Sequence, residues 1–324
     1  MRKGQRGSKN HHYVPQCYLR YFAIKYKKGH QLSVFDRVSD KSFKSNVKNI
    51  CCQNAFNRIE VDGMDPNALE EAMSEFESKL ANALVRINET RSLANEEDHA
   101  YLITLIGLTA LRNPHLRETI RKIHEKAAKL NISERLRSKE AYDESVLEAK
   151  RQGALPEDYN VTYEEMKKAF EAGVFKLILK NNHLISQEFR LLDHILPLLF
   201  RRGWQLVRAP MDTGGYITSD RPFFLTWSNP AMRAGKLSPG LALRLTQIYF
   251  PISPQLAVVG AFEIENGEED VGERRVALMN GAMVQNADRQ VYARNHCFSY
   301  TMTLDEPSRK GGQLISDKRF PLRA

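Results

Sequence analysis

Asn10-His11-His12-Tyr13-Val14-Pro15-Gln16 sets two adjacent imidazoles between a basic tail and an aromatic run, Tyr18, Tyr21, Phe22 and Tyr26. Histidine is the side chain readiest to move protons near neutral pH, so such a pair in a basic setting points to chemistry on something anionic. Pro15 biases Val14 towards an extended backbone. If that extension reaches back to His11, neighbouring side chains face opposite ways, His12 with Val14 and His11 with Tyr13. One imidazole then faces a site while the other packs or hydrogen-bonds; a cooperating pair would need a bend. As a general acid or base, one imidazole contributes roughly 10²–10⁴-fold to a proton-transfer step. The competing reading is two surface or structural histidines. No His-Glu-x-x-His or comparable metal motif accompanies them.

Three further groups could join them. Glu77 lies about 60° from the centre of the apolar stripe of a helix expected over 66–90, at ~100° per residue. Its carboxylate is thus at the border of the core, where a partner is needed, whereas Glu75 points to solvent. Arg112 continues the line through Tyr101, Leu105 and Leu108 and is followed at once by Asn113-Pro114. A guanidinium closing a buried stripe needs a carboxylate or a phosphate. A salt bridge to Glu77 is one reading and anion binding the other. Thr218-Ser219-Asp220-Arg221-Pro222 follows a strand; Asp before a turn proline forms turns, and polar loops at strand ends also carry catalytic acids. Asn280, Asn286, Asp288 and Arg289 are weaker candidates. Gly214-Gly215 and Gly311-Gly312 are isolated pairs, without a phosphate-loop or dinucleotide fingerprint.

The elements that must position these residues follow from periodicity. Residues 1–10 read as a flexible basic arm. From there to about 60 the chain is extended, with short strands around the turns at Lys28-Gly29 and Ser39-Asp40-Lys41. Leu69, Met73, Phe76, Leu80, Leu84 and Ile87 recur at helical steps. Asn95 with Asp98 has the spacing of a capping box, ahead of a helix apolar nearly all round to Leu111. Pro114 interrupts, and Leu116, Ile120, Ile123, Ala127 and Leu130 form the next stripe. Thr162 with Glu165 is another capping box, opening a helix towards Asn181. A further helix spans about 183–202 with Pro197 inside it. Beyond Gly203, Trp204–Val207, Tyr216–Thr218, Phe223–Leu225 and Ala257–Val259 read as strands, then a helix over about 270–288 and strands to Thr303. The expectation is an α+β fold: one domain over 11–324, helical over about 66–202 and sheet-rich over about 203–305. N-terminal and C-terminal strands combine in one mixed or antiparallel sheet.

Charge narrows the partners. The chain of 324 residues carries a net +9, yet residues 1–50 hold 12 Lys or Arg against 2 Asp or Glu, and the rest of the chain 36 against 37. A concentrated positive field steers nucleic acid, nucleotides or acidic surfaces; it is also what a merely solubilising tail would look like. Four cysteines at this length argue against a disulfide framework and for thiols in a reducing cytoplasm. No secretory h-region and no run of about 20 apolar residues is evident, so neither export nor a membrane association is expected.

Asn10-His11-His12-Tyr13-Val14-Pro15-Gln16 with Tyr18-Leu19-Arg20-Tyr21-Phe22 resembles the opening signature of a bacterial family, the domain of unknown function 4238. Thr218-Ser219-Asp220-Arg221-Pro222 is similar to its second signature, with Arg221 where Asn is usual. Arg112-Asn113-Pro114 and Phe250-Pro251-Ile252-Ser253-Pro254 resemble later landmarks. The resemblance would cover nearly the whole chain. It implies no established activity, and it nominates His11, His12, Tyr13 and Asp220.

Two functions from different classes remain. The first is an RNase-like hydrolase of nucleic acid or nucleotides, a nuclease or phosphodiesterase. Its catalytic groups would be His11, His12, Asp220 and Glu77, with Tyr13, Gln16, Arg20, Arg112 and Arg221 on the substrate. Ribose supplies its own nucleophile, so proton shuttling suffices; no cofactor or fixed metal site is expected, and a divalent metal is compatible. A role in phage defence would fit such a protein. The second is a non-enzymatic module that binds nucleic acid or a protein partner and keeps the histidines as structure. Its aromatics between Lys and Arg over 13–28 would stack on bases.

Overall fold

The computed structural model describes residues 10–27, 29–174, 178–211, 213–229, 231–232, 237–303 and 305–319. The basic arm of 1–10 thus lies, except for Asn10, outside the described residues. The chain divides into two compact units, Met1–Pro114 with Ile185–Ala324, and His115–Leu184. The single-domain division expected from texture does not separate the second of these.

The first unit is α+β. A short strand β1 (Asn10–His12) pairs antiparallel with β5 (Cys52–Asn54), His11 opposite Gln53 and His12 opposite Cys52. Between them lie α1 (Gln16–Leu19), β2 (Ile24–Tyr26), β3 (Gly29–Asp36) and β4 (Lys41–Asn46). The long strand β3 pairs with β2 and β4 and, across the chain, with β12 (Gln290–Ala293), which also pairs with β7 (Thr218–Ser219). N-terminal and C-terminal strands therefore do combine in one antiparallel sheet. A second sheet is C-terminal throughout: β11 (Gly267–Asp270), β6 (Gly203–Arg208), β10 (Leu256–Ala261), β9 (Thr246–Pro251) and β8 (Phe224–Trp227), antiparallel except where β11 runs parallel to β6. Strands β9 and β11 were not expected. Tyr216 and Ile217, expected as ladder residues, are buried but enter no ladder; of that run only Thr218 pairs, together with Ser219 beyond it.

The core joins the two sheets through α8 (Glu273–Asn286). Val276, Met283, Val284 and Ala287 pack with Phe35, Val207, Ile217, Val291 and Phe298. Gly281 is required there: a Cβ would meet the Thr301 carbonyl oxygen at 1.8 Å, so only glycine lets α8 approach β13 (Ser299–Tyr300), itself paired with β14 (Arg309–Lys310).

Two helices complete the scaffold of the site. Helix α2 (Ala68–Thr90) buries Met73, Leu80, Ala83, Leu84 and Ile87, the expected stripe, and stops at Arg91 in the left-handed region (φ 52°). Helix α3 (Glu96–Leu111) is buried nearly all round. Asn95 caps it, accepting from the Asp98 N–H at 2.9 Å. The expected reciprocal half of that box is missing: the buried Asp98 carboxylate is taken by the Arg86 guanidinium of α2, a stronger charge-assisted partner than the Asn95 N–H. This ion pair ties α2 to α3. Helix α3 ends where Pro114 forbids its continuation, and Arg112 is its C-cap.

The second unit is helical. It takes in α4 (Pro114–Arg135) beyond its first residue, α5 (Lys139–Arg151), α6 (Tyr163–Glu171) and the first turn of α7 (Asn181–Phe200). The Thr162–Glu165 capping box is complete. The helix it opens ends at Glu171, short of Asn181, since Gly173 follows with φ 65°. Tyr142 holds the connection to α6 by donating to the Val161 carbonyl at 2.8 Å.

Candidate functional site

The N-terminal histidines arrive beside α2 because β1 is pinned on β5. Tyr13 N–H bonds to the Cys51 carbonyl at 2.9 Å, and α1 then starts at once after Pro15. His11 is buried. Its Nδ1 accepts the backbone N–H of Asn57 at 2.8 Å and lies 3.9 Å from Glu70 Oε2. Asn57, buried in the turn after β5, is the hub of the cluster. Its Nδ2 donates to Glu70 Oε2 at 2.7 Å, and its Oδ1 accepts from Arg112 Nη2 at 2.6 Å. Arg112 Nη1 points at Met73 Sδ at 3.1 Å. An imidazole, a carboxylate and a guanidinium thus meet on one residue, His11 on the Asn57 backbone N–H and Glu70 and Arg112 on its side-chain amide.

His12 differs from its neighbour. It is half-buried, and Gln16 Nε2 lies 3.4 Å from its Nδ1. Its Nε2 is shielded from water and has no hydrogen-bond partner among the described residues. Burial holds the imidazole below its ordinary pKa, against the pull of Glu70 and the nearby carbonyls of Lys48 and Val47. A buried polar atom without a partner costs about 1–3 kcal/mol, and such atoms in native proteins are uncommon enough to ask for a use.

Glu77 is two turns from Glu70 on the same face of α2. Burial raises its carboxyl to about 7, and Glu70 raises it further, while Arg112, Arg20 and the Gln16 N–H pull the other way. The same carboxylate, with burial first, pushes the Cys17 thiol up to about 12. Arg20 is exposed. His11, His12, Gln16, Arg20, Glu77 and Arg112 therefore belong to one neighbourhood, joined by Asn57 and Glu70. The last two were not expected. Glu70 could have been found from its spacing, since residues seven apart share a helix face. Nothing in the sequence marks Asn57.

Asp220, Arg221 and Tyr13 are placed elsewhere. The buried Asp220 carboxylate accepts three backbone N–H groups, from Asp288 at 3.0 Å and from Arg289 and Gln290 at 2.8 Å each. Burial raises it to about 7 against those three bonds, with Asp288 adding to the rise. Arg221 Nη1 lies 3.5 Å from Asp288. These groups fix the link between α8 and β12, so the Asp220-Arg221-Pro222 turn is part of a buried polar framework. Tyr13 bridges towards it: its ring packs on Phe56 at 5.8 Å, and its hydroxyl, pushed up by burial, has Cys51 and Asp220 as electrostatic neighbours. From Cys51 the bonds continue through Tyr292 and Gln290 to Asp36, whose carboxylate the Arg289 guanidinium holds at 2.7 Å.

Among the described residues no group of three or more His, Cys, Asp or Glu could hold a metal ion. No helix among them is long and apolar enough to cross a membrane.

Fold and site define an α+β protein with a buried imidazole–carboxylate–guanidinium cluster set between an N-terminal strand and two packed helices. The chain belongs to the family described as Protein of unknown function (DUF4238), whose model matches residues 10–296, a span that includes every residue of that cluster. No curated protein and no solved structure matches the chain.

Proposed function

We propose that the chain is a hydrolase of phosphodiester bonds in RNA or related nucleotides, with His12 and Glu77 as the proton-transfer pair. The observation that carries this reading is the orphaned Nε2 of His12 in the same cluster as a carboxyl whose pKa is near neutrality. A base kept neutral by burial and an acid that still holds its proton near neutral pH are what such a reaction needs. With its Nε2 uncovered by the arriving RNA, neutral His12 would take the proton of the ribose 2′-hydroxyl as its oxygen attacks phosphorus. Protonated Glu77 would give its proton to the departing 5′-oxygen. One P–O bond forms and one breaks, leaving a 2′,3′-cyclic phosphate and a 5′-hydroxyl. The exposed Arg20 is better placed to meet the phosphate than Arg112, which is buried and bonded to Asn57. Arg112 and Asn57 then act as positioning residues.

One observation favours the non-enzymatic alternative: His11, Asn57, Glu70 and Arg112 already satisfy one another, as a structural network would. A panel of RNA, DNA and nucleotides, with and without divalent metal, separates the two. Loss of cleavage with binding retained in His12→Ala supports the enzyme. A wild-type chain that binds RNA and cleaves nothing in the panel supports the binding module.

A further inference from the structure

The helical unit holds a second imidazole pair, independent of the chemistry proposed above. His124 lies in the third turn of α4 and His183 in the first turn of α7. Their Nε2 atoms are 3.4 Å apart. The ring centroids are 4.9 Å apart and the planes cross at 83°. This contact is long for a hydrogen bond between two ring nitrogens, against about 2.7–3.2 Å for an ordinary N–H donor. It is also not head-on. End-to-end rings would add a full ring radius on each side to the nitrogen separation, and these centroids are too close for that. The nitrogens nonetheless lie nearer to each other than the centroids do, so the two rings turn their Nε2 edges towards each other.

A nitrogen separation of 3.4 Å is also the bite of a tetrahedral metal. Two imidazoles bound at about 2.0–2.1 Å and a near-tetrahedral angle hold their nitrogens about 3.3–3.4 Å apart. We propose that His124 and His183 form a two-imidazole site for a divalent transition metal of the zinc class, clamping α4 to the start of α7. Neutral imidazole suits Zn²⁺, Ni²⁺ and Cu²⁺, whereas Mg²⁺ and Ca²⁺ favour oxygen ligands. Both rings bind as Nδ1–H tautomers, which frees both Nε2 lone pairs. His183 is exposed and His124 half-exposed, so a metal can enter from solvent. With no third His, Cys, Asp or Glu grouped there among the described residues, water fills the remaining positions. The site is accordingly weaker than a four-ligand structural zinc.

The test uses the untagged full chain, stripped with EDTA and dialysed. Zn²⁺ is titrated by calorimetry into the wild type, His124→Ala, His183→Ala and the double variant. One equivalent should bind to the wild type, with affinity at least tenfold weaker in each single variant and no saturable binding in the double. In parallel, Zn²⁺ should shift the ring-proton NMR signals of two imidazoles in the wild type, and Mg²⁺ none. This second readout needs no variant to fold. Absence of saturable Zn²⁺ binding to the wild type, or binding by the double variant equal to it, would overturn the proposal. So would Zn²⁺ shifts confined to other imidazoles.

Discussion

The backbone N–H of Asn57 donates to Nδ1 of His11 at 2.8 Å. That bond fixes a tautomer: a neutral His11 must carry its proton on Nε2. It also separates the roles of two adjacent histidines, because His11 is committed to the fold while the Nε2 of His12 has no protein partner among the described residues.

Replacement of the two should therefore give different phenotypes. His11→Ala orphans the Asn57 N–H and should lower stability by about 1–3 kcal/mol. His11→Asn, whose amide oxygen can stand near the place of Nδ1, should recover part of that loss. His12→Ala should leave the urea midpoint near the wild type, and should lower the rate of the proposed cleavage by about 10²–10⁴-fold. Equilibrium unfolding and initial rates measured on the same preparations distinguish them.

Asn57→Ala is expected to be the costliest single truncation in the cluster. It removes the Nδ2 bond to Glu70 and the Oδ1 bond from Arg112, leaving two charged groups short of a partner. A loss of about 3 kcal/mol or more is expected, since breaking a buried charged network leaves uncompensated charge. An Asn57→Ala chain as stable as the wild type would show that the hub is not one.

The pH dependence of stability has a definite sign. Glu77 in the folded chain titrates near 7, above its ordinary 4.5. Between those values the folded state binds more protons than the unfolded state, so this group's contribution falls as pH rises from 4.5 through 7. Asp220, also raised to about 7, acts in the same direction. His12, held below 6.5, acts oppositely: its contribution is lost as pH falls below that value. Asp36 and Asp317, both lowered to about 2, contribute stability that is lost as pH falls from 3.8 through 2. Glu77→Gln should therefore flatten the decline between pH 4.5 and 7 relative to the wild type. Denaturation curves at half-unit pH intervals measure this, and an unchanged slope would contradict the assignment.

Asp220→Ala should destabilise the chain by about 3 kcal/mol or more, because three backbone N–H groups lose their buried acceptor at about 1–3 kcal/mol each. Fully folded Asp220→Ala at low temperature should keep the wild-type Km and turn over at nearly the wild-type rate. A thousandfold loss of turnover with the fold intact would return Asp220 to the chemistry.

What the sequence disclosed depended on the range over which each residue acts. Glu77 and Arg112 were legible because helical phase places a charge at the rim of an apolar stripe, and a charge there must find a partner. The α2 stripe and the Asn95 cap were legible for the same local reason. The partner of Asp98 was not, since Arg86 competes for it from another helix. Asn57 lies in a turn without periodicity, and its three bonds run to β1, α2 and Arg112. Strand β9 ends on Pro251 and follows a stretch rich in turn residues, which hides its alternation. Asp220 was legible as a turn former; only the register of β7 against β12 gives its carboxylate three N–H donors.

The proposed reaction moves protons between a ribose phosphodiester and the side chains of His12 and Glu77. It is tested most directly by incubating an end-labelled RNA oligonucleotide with the wild type, His12→Ala and Glu77→Gln, and identifying the new chain ends by mass spectrometry. The wild type should leave 2′,3′-cyclic phosphate ends, with each variant slower by about 10²-fold or more and with RNA binding retained. Cleavage by His12→Ala at the wild-type rate, or no cleavage of the RNA by the wild type at any pH between 5 and 8 with or without divalent metal, would contradict it.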